Sequence, residues 1–200
     1  MIEKRYNWAF EIAGRNACFT RPDTGAVPIS YPAPTRSALI GIAESVALFK
    51  NAYFWPERVE ICSPIVYHKY VQNYNGPLRE KAGPFQLVIT VLENVDYKVY
   101  GTIKSYDKPT HEVNYAHEMQ DMFLRNLEKG RFFSTPHLGL SEMIPAYFGP
   151  LRSDTVPDES INLMIPSMLD TMYDRQTGGR LSPKFQQNVR IEKGVLRYAE

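Results

Sequence analysis

Large apolar and smaller or polar side chains alternate without a break near the start of the chain: Tyr6, Trp8, Phe10 and Ile12 against Asn7, Ala9 and Glu11. A period of two puts one set on one side of an extended backbone, so this segment reads as a half-buried strand. The stretch that follows narrows the choice further. Gly14 to Pro34 holds Pro22, Gly25, Pro28, Pro32 and Pro34, and prolines, with φ fixed and no N–H, bar regular structure over much of that length. A connection this long reads as a binding loop rather than a linker.

Beyond Pro34 the spacing of Leu39, Ile42, Val46 and Phe49 predicts a helix over Thr35–Lys50, with Thr35 as its N-cap. Val59, Ile61, Ile65 and Tyr67 suggest a strand interrupted at Pro64. Phe85–Leu92 and Tyr97–Tyr106 are β-rich runs separated by Glu93-Asn94-Val95-Asp96, which reads as a hairpin. A second helix, about Asn114–Lys129, carries an apolar stripe at Met119, Met122, Phe123 and Leu127, and Gly130 stands where a C-terminal cap belongs. Short β-prone stretches at Pro136–Phe148, Asn162–Ile165, Phe185–Ile191 and Val195–Tyr198 predict a small antiparallel sheet. The order fits an α+β, ferredoxin-like (RRM-like) βαββαβ domain over residues 1–132, followed by a C-terminal β-rich subdomain over 133–200. Such a fold serves RNA binding, metal binding, catalysis and assembly alike, so it does not settle function.

Composition removes several classes. With 200 residues, 44% of them hydrophobic and 22% charged, the chain has enough apolar material for a real core, which excludes disorder, collagen and coiled coil. No window approaches the roughly 18 apolar residues of a membrane-spanning helix, and Met1-Ile2-Glu3-Lys4-Arg5-Tyr6 lacks the apolar run of a secretory signal. A cytoplasmic protein without a membrane partner is expected. Cys18 and Cys62 lie far apart with no CxxC spacing, which points to two reduced thiols rather than a disulfide or zinc site. Net charge is +1, and a modestly basic end over 171–200 follows an acidic connector over 154–170. That asymmetry suits a solvated surface better than a polyanion site.

Four histidines are present, His68, His111, His117 and His137. His111-Glu112 and His117-Glu118 do not make HExxH, since the two histidines stand six apart, so the spacing speaks against zinc-protease chemistry and no metal or cofactor is expected. On the second helix His117, Asp121 and Arg125 follow at i, i+4 and i+8 and share one polar flank. Such a flank is either a solvated ion pair or a histidine able to take a proton, with a carboxylate to raise its pKa and an arginine near a phosphate. Arg15 and Arg21 stand beside the end of the first strand, and Arg36 opens the first helix, where backbone N–H groups already favour anions. They either solvate the loop or make a phosphate-contact surface. Phe19, Tyr31, Tyr67, Tyr70 and Tyr74 lie close by in sequence and are either sheet material or stacking rings for unpaired bases. P-loop, GxGxxG and GxSxG patterns are missing.

Several ordered motifs occur in register: Gly14, Ala17, Phe19, Thr20 and Pro22; Ser30, Tyr31, Pro34 and Thr35; Ala38, Leu39, Gly41, Ile42, Glu44 and Ser45; then Glu128, Lys129, Gly130, Phe133, Pro136, Leu138, Gly139 and Glu142. Together they resemble the Cas five family of CRISPR-associated RAMP proteins, nearest its type I-C branch, over about 14–45 and 122–148. The resemblance implies a ferredoxin-like domain with a C-terminal β-subdomain. It also implies a protein that binds the 5′ repeat-derived handle of CRISPR RNA inside the Cascade surveillance complex, in contact with backbone and large subunits, in antiviral defence. On that reading the RNA-binding set is Arg15, Arg21, Arg36, Tyr31, Arg125 and Arg131.

In the type I-C branch the resemblance further implies metal-independent endoribonuclease activity on precursor CRISPR RNA, with a tyrosine after the Glu-Ser motif and a Lys-His pair opening the second helix. Here the tyrosine position falls on Ala47, and the pair falls on Val113-Asn114 or, in a direct alignment, its histidine falls on Met119. His117 is the candidate catalytic base in their place, with Lys104, Lys108 or Arg125 as cation and Tyr53 or Tyr115 as hydroxyl. Loss of a positioned acid or base costs about 10²–10⁴-fold in rate, so RNA binding is the first expectation and cleavage the alternative. An RRM-like RNA-binding domain unrelated to CRISPR is the third.

Overall fold

The structure is a computed structural model, and it describes residues 5–25, 27–74, 85–106, 114–174 and 179–199. Alternation at the start of the chain yields β1 (Tyr6–Ala17), longer than the pattern alone indicates. Trp8, Phe10 and Ile12 are buried on one face. Opposite them in an antiparallel ladder stand Gly101, Val99 and Tyr97 of β4 (Phe85–Ser105). β2 (Ala52–Ile61) pairs with the other side of β4 and places Phe54 beside Ile103.

β4 is a single strand, which corrects the predicted hairpin at Glu93–Asp96. Asn94 does take a left-handed backbone, φ 51°, the kind of residue that signals a turn. Yet β1 pairs on both sides of it, Asn16 with Glu93 and Gly14 with Val95, so the irregularity stays inside one ladder. A reversal would also expose Val95 and Tyr97, both buried. The first half of β4 pairs instead with β3 (Val66–Tyr74), from Val66↔Glu93 to Tyr74↔Phe85.

α1 (Arg36–Glu44) starts as predicted, the Thr35 hydroxyl accepting the Ala38 N–H at 3.1 Å. It stops well short of Lys50. The Ser45 hydroxyl bonds back to the Ile42 carbonyl at 2.6 Å, and the Ser45 carbonyl accepts the N–H groups of Phe133 and Ser134 at 2.6 and 3.1 Å. Those tertiary bonds replace the next helical turn. α2 (Tyr115–Glu128) matches its prediction at both ends. Asn114 caps it by accepting the His117 N–H, while Gly130, at φ 60°, and Arg131 close a Schellman end onto the Leu127 and Asn126 carbonyls. Ala116, Met119, Phe123 and Leu127 face inward, and the Phe123 ring meets Trp8, Phe10 and Phe54 at 5.8, 6.5 and 5.0 Å.

The later segments are β5 (Tyr147–Gly149), β6 (Leu163–Asp174), β7 (Arg180–Glu192) and β8 (Val195–Arg197). They do not stand apart as a small sheet. β5 pairs with β1 and β8 with β2, giving one mostly antiparallel sheet in the order β5-β1-β4-β2-β8-β7-β6, with β3 on β4. The fold is therefore α+β, an extended sheet with two α-helices among the described residues.

The Gly14–Pro34 loop is more ordered than its prolines imply. Thr20 bridges Ser30, the Ser30 N–H donates to the Thr90 carbonyl at 3.0 Å, and Pro22–Thr24 forms a single 3₁₀ turn. The family motifs meet here. The Cys18 N–H donates to the Leu138 carbonyl at 2.9 Å, and a Cβ on Gly139, whose φ is 96°, would overlap the Cys18 carbonyl.

Candidate nucleic-acid interface

The first cluster foreseen from sequence, the arginines around the first crossover, divides in the structure. Arg15 is exposed on the last residues of β1. Arg21 is half exposed and holds Asp23 at 2.6 Å, a bond that raises its pKa. Arg36 is not a surface residue. At 2% exposure it is buried, 3.2 Å from Asp170, donating to the Ala199 carbonyl and lying 4.2 Å from the Trp55 ring centroid. Burial pulls its pKa down and pushes that of Asp170 up. Tyr31 is corrected in the same way: it is buried, and its hydroxyl accepts the Leu169 N–H at 3.2 Å, leaving no face for a base. Phe19 is buried as well, whereas Tyr67 is exposed.

The second cluster stays together. His117, Asp121 and Arg125 are all exposed on the outer flank of α2, with His117 Nε2 3.5 Å from Asp121 Oδ2. Arg131 is exposed just past the helix. The opening of α2 is anchored to the start of β1, since Asn114 donates to the Tyr6 hydroxyl at 2.6 Å and Gln120 to the Asn7 carbonyl at 2.6 Å. The His117 ring then lies 5.8 Å from that of Tyr6. Tyr6 pairs with Ile103, which fixes His117 at one end of the β1-β4-β2 ladder. Lys104 follows Ile103 and pairs with Tyr53, so alternation sends both to the opposite face. Tyr115 is partly buried against the core. Lys108 and His111 lie outside the described residues.

Sequence reasoning missed a further polar cluster. Glu11, expected on the outer side of β1, is completely buried, with Arg152 and Thr155 closing over its carboxylate. Its carboxylate accepts the Arg152 N–H at 2.6 Å, Arg152 Nε at 2.8 Å and the Thr155 hydroxyl at 2.9 Å. Lys98 donates to the Arg152 and Thr155 carbonyls, and Arg152 also holds Asp96 at 2.7 Å. Burial pushes the Glu11 carboxyl up, but these hydrogen bonds and the Arg152 charge outweigh it and hold it below its ordinary value. Asp96, partly buried and beside the Glu11 charge, is pushed up to about 6. The signal was present in the sequence as two charged residues, Glu11 and Lys98, inside strand patterns; Asp96 falls in the predicted turn and gave none. Past α2, a cleft of about 520 Å³ is lined by Phe132, Phe133, Pro136, Ile144, Pro145 and Phe148, with Phe133 72% exposed. No group of three or more His, Cys, Asp or Glu is placed to hold a metal ion among the described residues.

Residues 9–174 match the family of CRISPR-associated proteins designated Cas5. The chain belongs to that family, in its Cas5d, type I-C branch. It is 30% identical over 189 residues to a protein of Thermus thermophilus named CRISPR pre-crRNA endoribonuclease Cas5d, a match that covers 91% of this chain and 80% of the relative. A protein of the same name from Mannheimia succiniciproducens is 25% identical over 191 residues, covering 85% of this chain and 81% of the relative. The crystal structure of a CRISPR-associated protein superposes with a TM-score of 0.72 at 18% identity, covering 97% of this chain and 92% of that one. A Streptococcus mutans protein does so at 0.69 and 17%, with the same coverage.

Within the Cas5d frame, the positions at which a tyrosine and a Lys-His pair are implied hold other residues in other roles. Ala47 is buried and lacks a hydroxyl. Asn114 is the α2 cap, Met119 is a core residue, and Val113 lies outside the described residues.

Proposed function

We propose that this Cas5d-family chain binds CRISPR RNA as a subunit of a type I-C Cascade surveillance complex and holds the 5′ repeat-derived handle. The observation that carries the reading is the family match over residues 9–174, joined to relatives named for acting on precursor CRISPR RNA. An enzyme that cuts that RNA must first grip it, so binding is common to both readings of the family. Exposed Arg15, Arg21, Arg125 and Arg131 support it, because guanidinium groups recognise phosphates. Arg36 and Tyr31 take no part.

The finer architecture belongs to the same reading. The order β5-β1-β4-β2, with a helix after β1 and another after β4, supports a ferredoxin-like βαββαβ unit over residues 1–132 that takes its edge strand from a β-rich part over 133–200. The exposed apolar lining of the cleft at Phe133 and Ile144 supports contact with a backbone or large subunit. A cytoplasmic location is part of the reading; no helix among the described residues is long and apolar enough to cross a membrane.

The relatives' activity and the exposed His117–Asp121 pair favour a second reading, metal-independent cleavage within the repeat. His117 would take the proton of a ribose 2′-hydroxyl, whose oxygen attacks the adjacent phosphorus. A cation such as Arg125 would stabilise the crowded phosphorane, and the departing 5′-oxygen would need a proton. Incubating the pure protein with repeat RNA in EDTA separates the two. Tight binding without cleavage supports the subunit alone, and specific cleavage lost in His117→Ala adds the nuclease. Weak, salt-insensitive binding to every RNA contradicts both, since phosphate contacts must weaken as salt rises.

A further inference from the structure

The alternation that buries Phe54 and Ile103 beneath α2 sends Tyr53, Trp55, Lys104 and Tyr106 to the other face of the sheet, at the same end of the ladder as His117. The Tyr53 and Tyr106 ring centroids are 4.8 Å apart at 36°, and Trp55 stands edge-on to Tyr53 at 6.3 Å. Lys104 Nζ lies 4.6 Å from the Trp55 centroid, and it has no carboxylate partner among the described residues. Tyr106 is 44% exposed. An aromatic pair held on a flat strand face adds little to the core. It does present π-surface that any base can stack on, and a neighbouring unpaired ammonium suits the phosphate that follows each base.

We propose that Tyr53 and Tyr106, with Lys104 seated on Trp55 beside them, form a stacking platform for unpaired bases of single-stranded RNA. The inference rests on the RNA-binding reading above and extends it to the sheet face turned away from α2. An RNA passing over the end of the ladder meets Tyr106 and Lys104 on one side and His117 on the other, because Ile103, the rung beside Tyr6, directly precedes Lys104. RNA is favoured over a protein partner because the patch joins an exposed tyrosine ring to a cation with no carboxylate partner among the described residues, rather than forming an apolar pocket.

The test uses the full chain and a single-stranded RNA of the CRISPR repeat with 4-thiouridine in place of uridine. Tyr106→Ala and Tyr53→Ala are each expected to weaken binding about tenfold, and Tyr106→Phe, which keeps the ring, to bind as the parent does. If the unaltered protein binds this RNA while both alanine variants, folded as judged by urea midpoint, bind it equally well, the platform is overturned and the RNA-binding reading stands. If the unaltered protein does not bind it, both fall. Should the alanine variants not fold, photo-crosslinking of the unaltered protein decides. Adducts on the peptides holding Tyr53–Trp55 or Tyr106 support the platform, and adducts confined to other peptides overturn it and leave the patch to a protein neighbour.

Discussion

Arg36 stands where a sequence reader puts a phosphate contact, and the structure gives it a structural role that stability measurements can verify. Its guanidinium is held by Asp170 at 3.2 Å and by the Ala199 carbonyl, and it lies 4.2 and 5.4 Å from the Trp55 and Tyr198 rings. Removing one member of such a buried pair leaves the other uncompensated, at a cost of about 3–5 kcal/mol. Against a total stability of about 5–15 kcal/mol that is a large fraction. With a urea slope of about 2 kcal/mol per molar, Arg36→Ala and Asp170→Asn should each lower the denaturation midpoint by about 1.5–2.5 M. Arg36→Met should cost less. It keeps the apolar stem, and Asp170, whose pKa burial already raises, can take up a proton instead of standing alone as a charge. The double variant Arg36→Met with Asp170→Leu should recover most of the loss, helped by the fact that Arg36 Nε finds no acceptor among the described residues. RNA affinity of the folded Arg36→Met protein should equal that of the parent. An unchanged urea midpoint in Arg36→Ala combined with weakened RNA binding would refute this account and return Arg36 to the RNA surface.

Three other measurements follow from the packing. Asp96, at about 6 in the fold against an ordinary 3.8, binds its proton more tightly folded than unfolded, so it makes stability fall as pH rises from about 4 to about 6, by up to about 1.4 kcal/mol per pH unit. Urea midpoints across that range should flatten in Asp96→Asn, and an unchanged slope would contradict the assignment. Glu11 acts in the opposite sense, its stabilisation being lost as pH falls below its ordinary 4.5. Burial raises both thiols, Cys62 to about 12 and Cys18 also upward; a disulfide reagent at pH near 8 should therefore label the native chain slowly and the urea-unfolded chain fast, and rapid native labelling would count against the packing. Gly139→Ala must relieve both a left-handed backbone and an overlap with the Cys18 carbonyl, so it should undock the 138–146 segment from β1 and lower the urea midpoint by about 1 M or more.

Where local signals and tertiary packing agree, the sequence was readable. The period-two run gave β1, and Thr35 and Gly130 marked two helix ends that the hydrogen bonds bear out. It misled where a long-range partner overruled the local signal. Asn94 and Asp96 carry the chemistry of a turn, but the length of β1 keeps β4 in one piece. The end of α1 was set by two N–H groups from residues 133 and 134, which no local window contains. The site followed the same rule. The α2 flank, defined by spacing on one helix, survived intact. The arginine cluster, defined by nearness in sequence, did not, because Asp170 lies 134 positions beyond Arg36.

The cations left for an RNA backbone are therefore decided by which carboxylates this chain keeps for itself. Arg36 and Arg152 answer a largely buried acid, Asp170, and a fully buried one, Glu11, and cannot turn outward without stranding them. Arg21 answers Asp23 on the surface, where water and salt screen the pair, so a phosphate can displace the carboxylate at small cost. Arg15, Arg125 and Arg131 have no ion-pair partner among the described residues and are free to bind a phosphate without loss elsewhere. The log–log dependence of RNA affinity on salt should then lose about one unit of slope for each of these three replaced by alanine, and somewhat less for Arg21. Replacing Arg36 with Met should leave the slope as it is; a drop of a full unit there, with the three surface arginines silent, would mean that the phosphates run along a different face of the sheet.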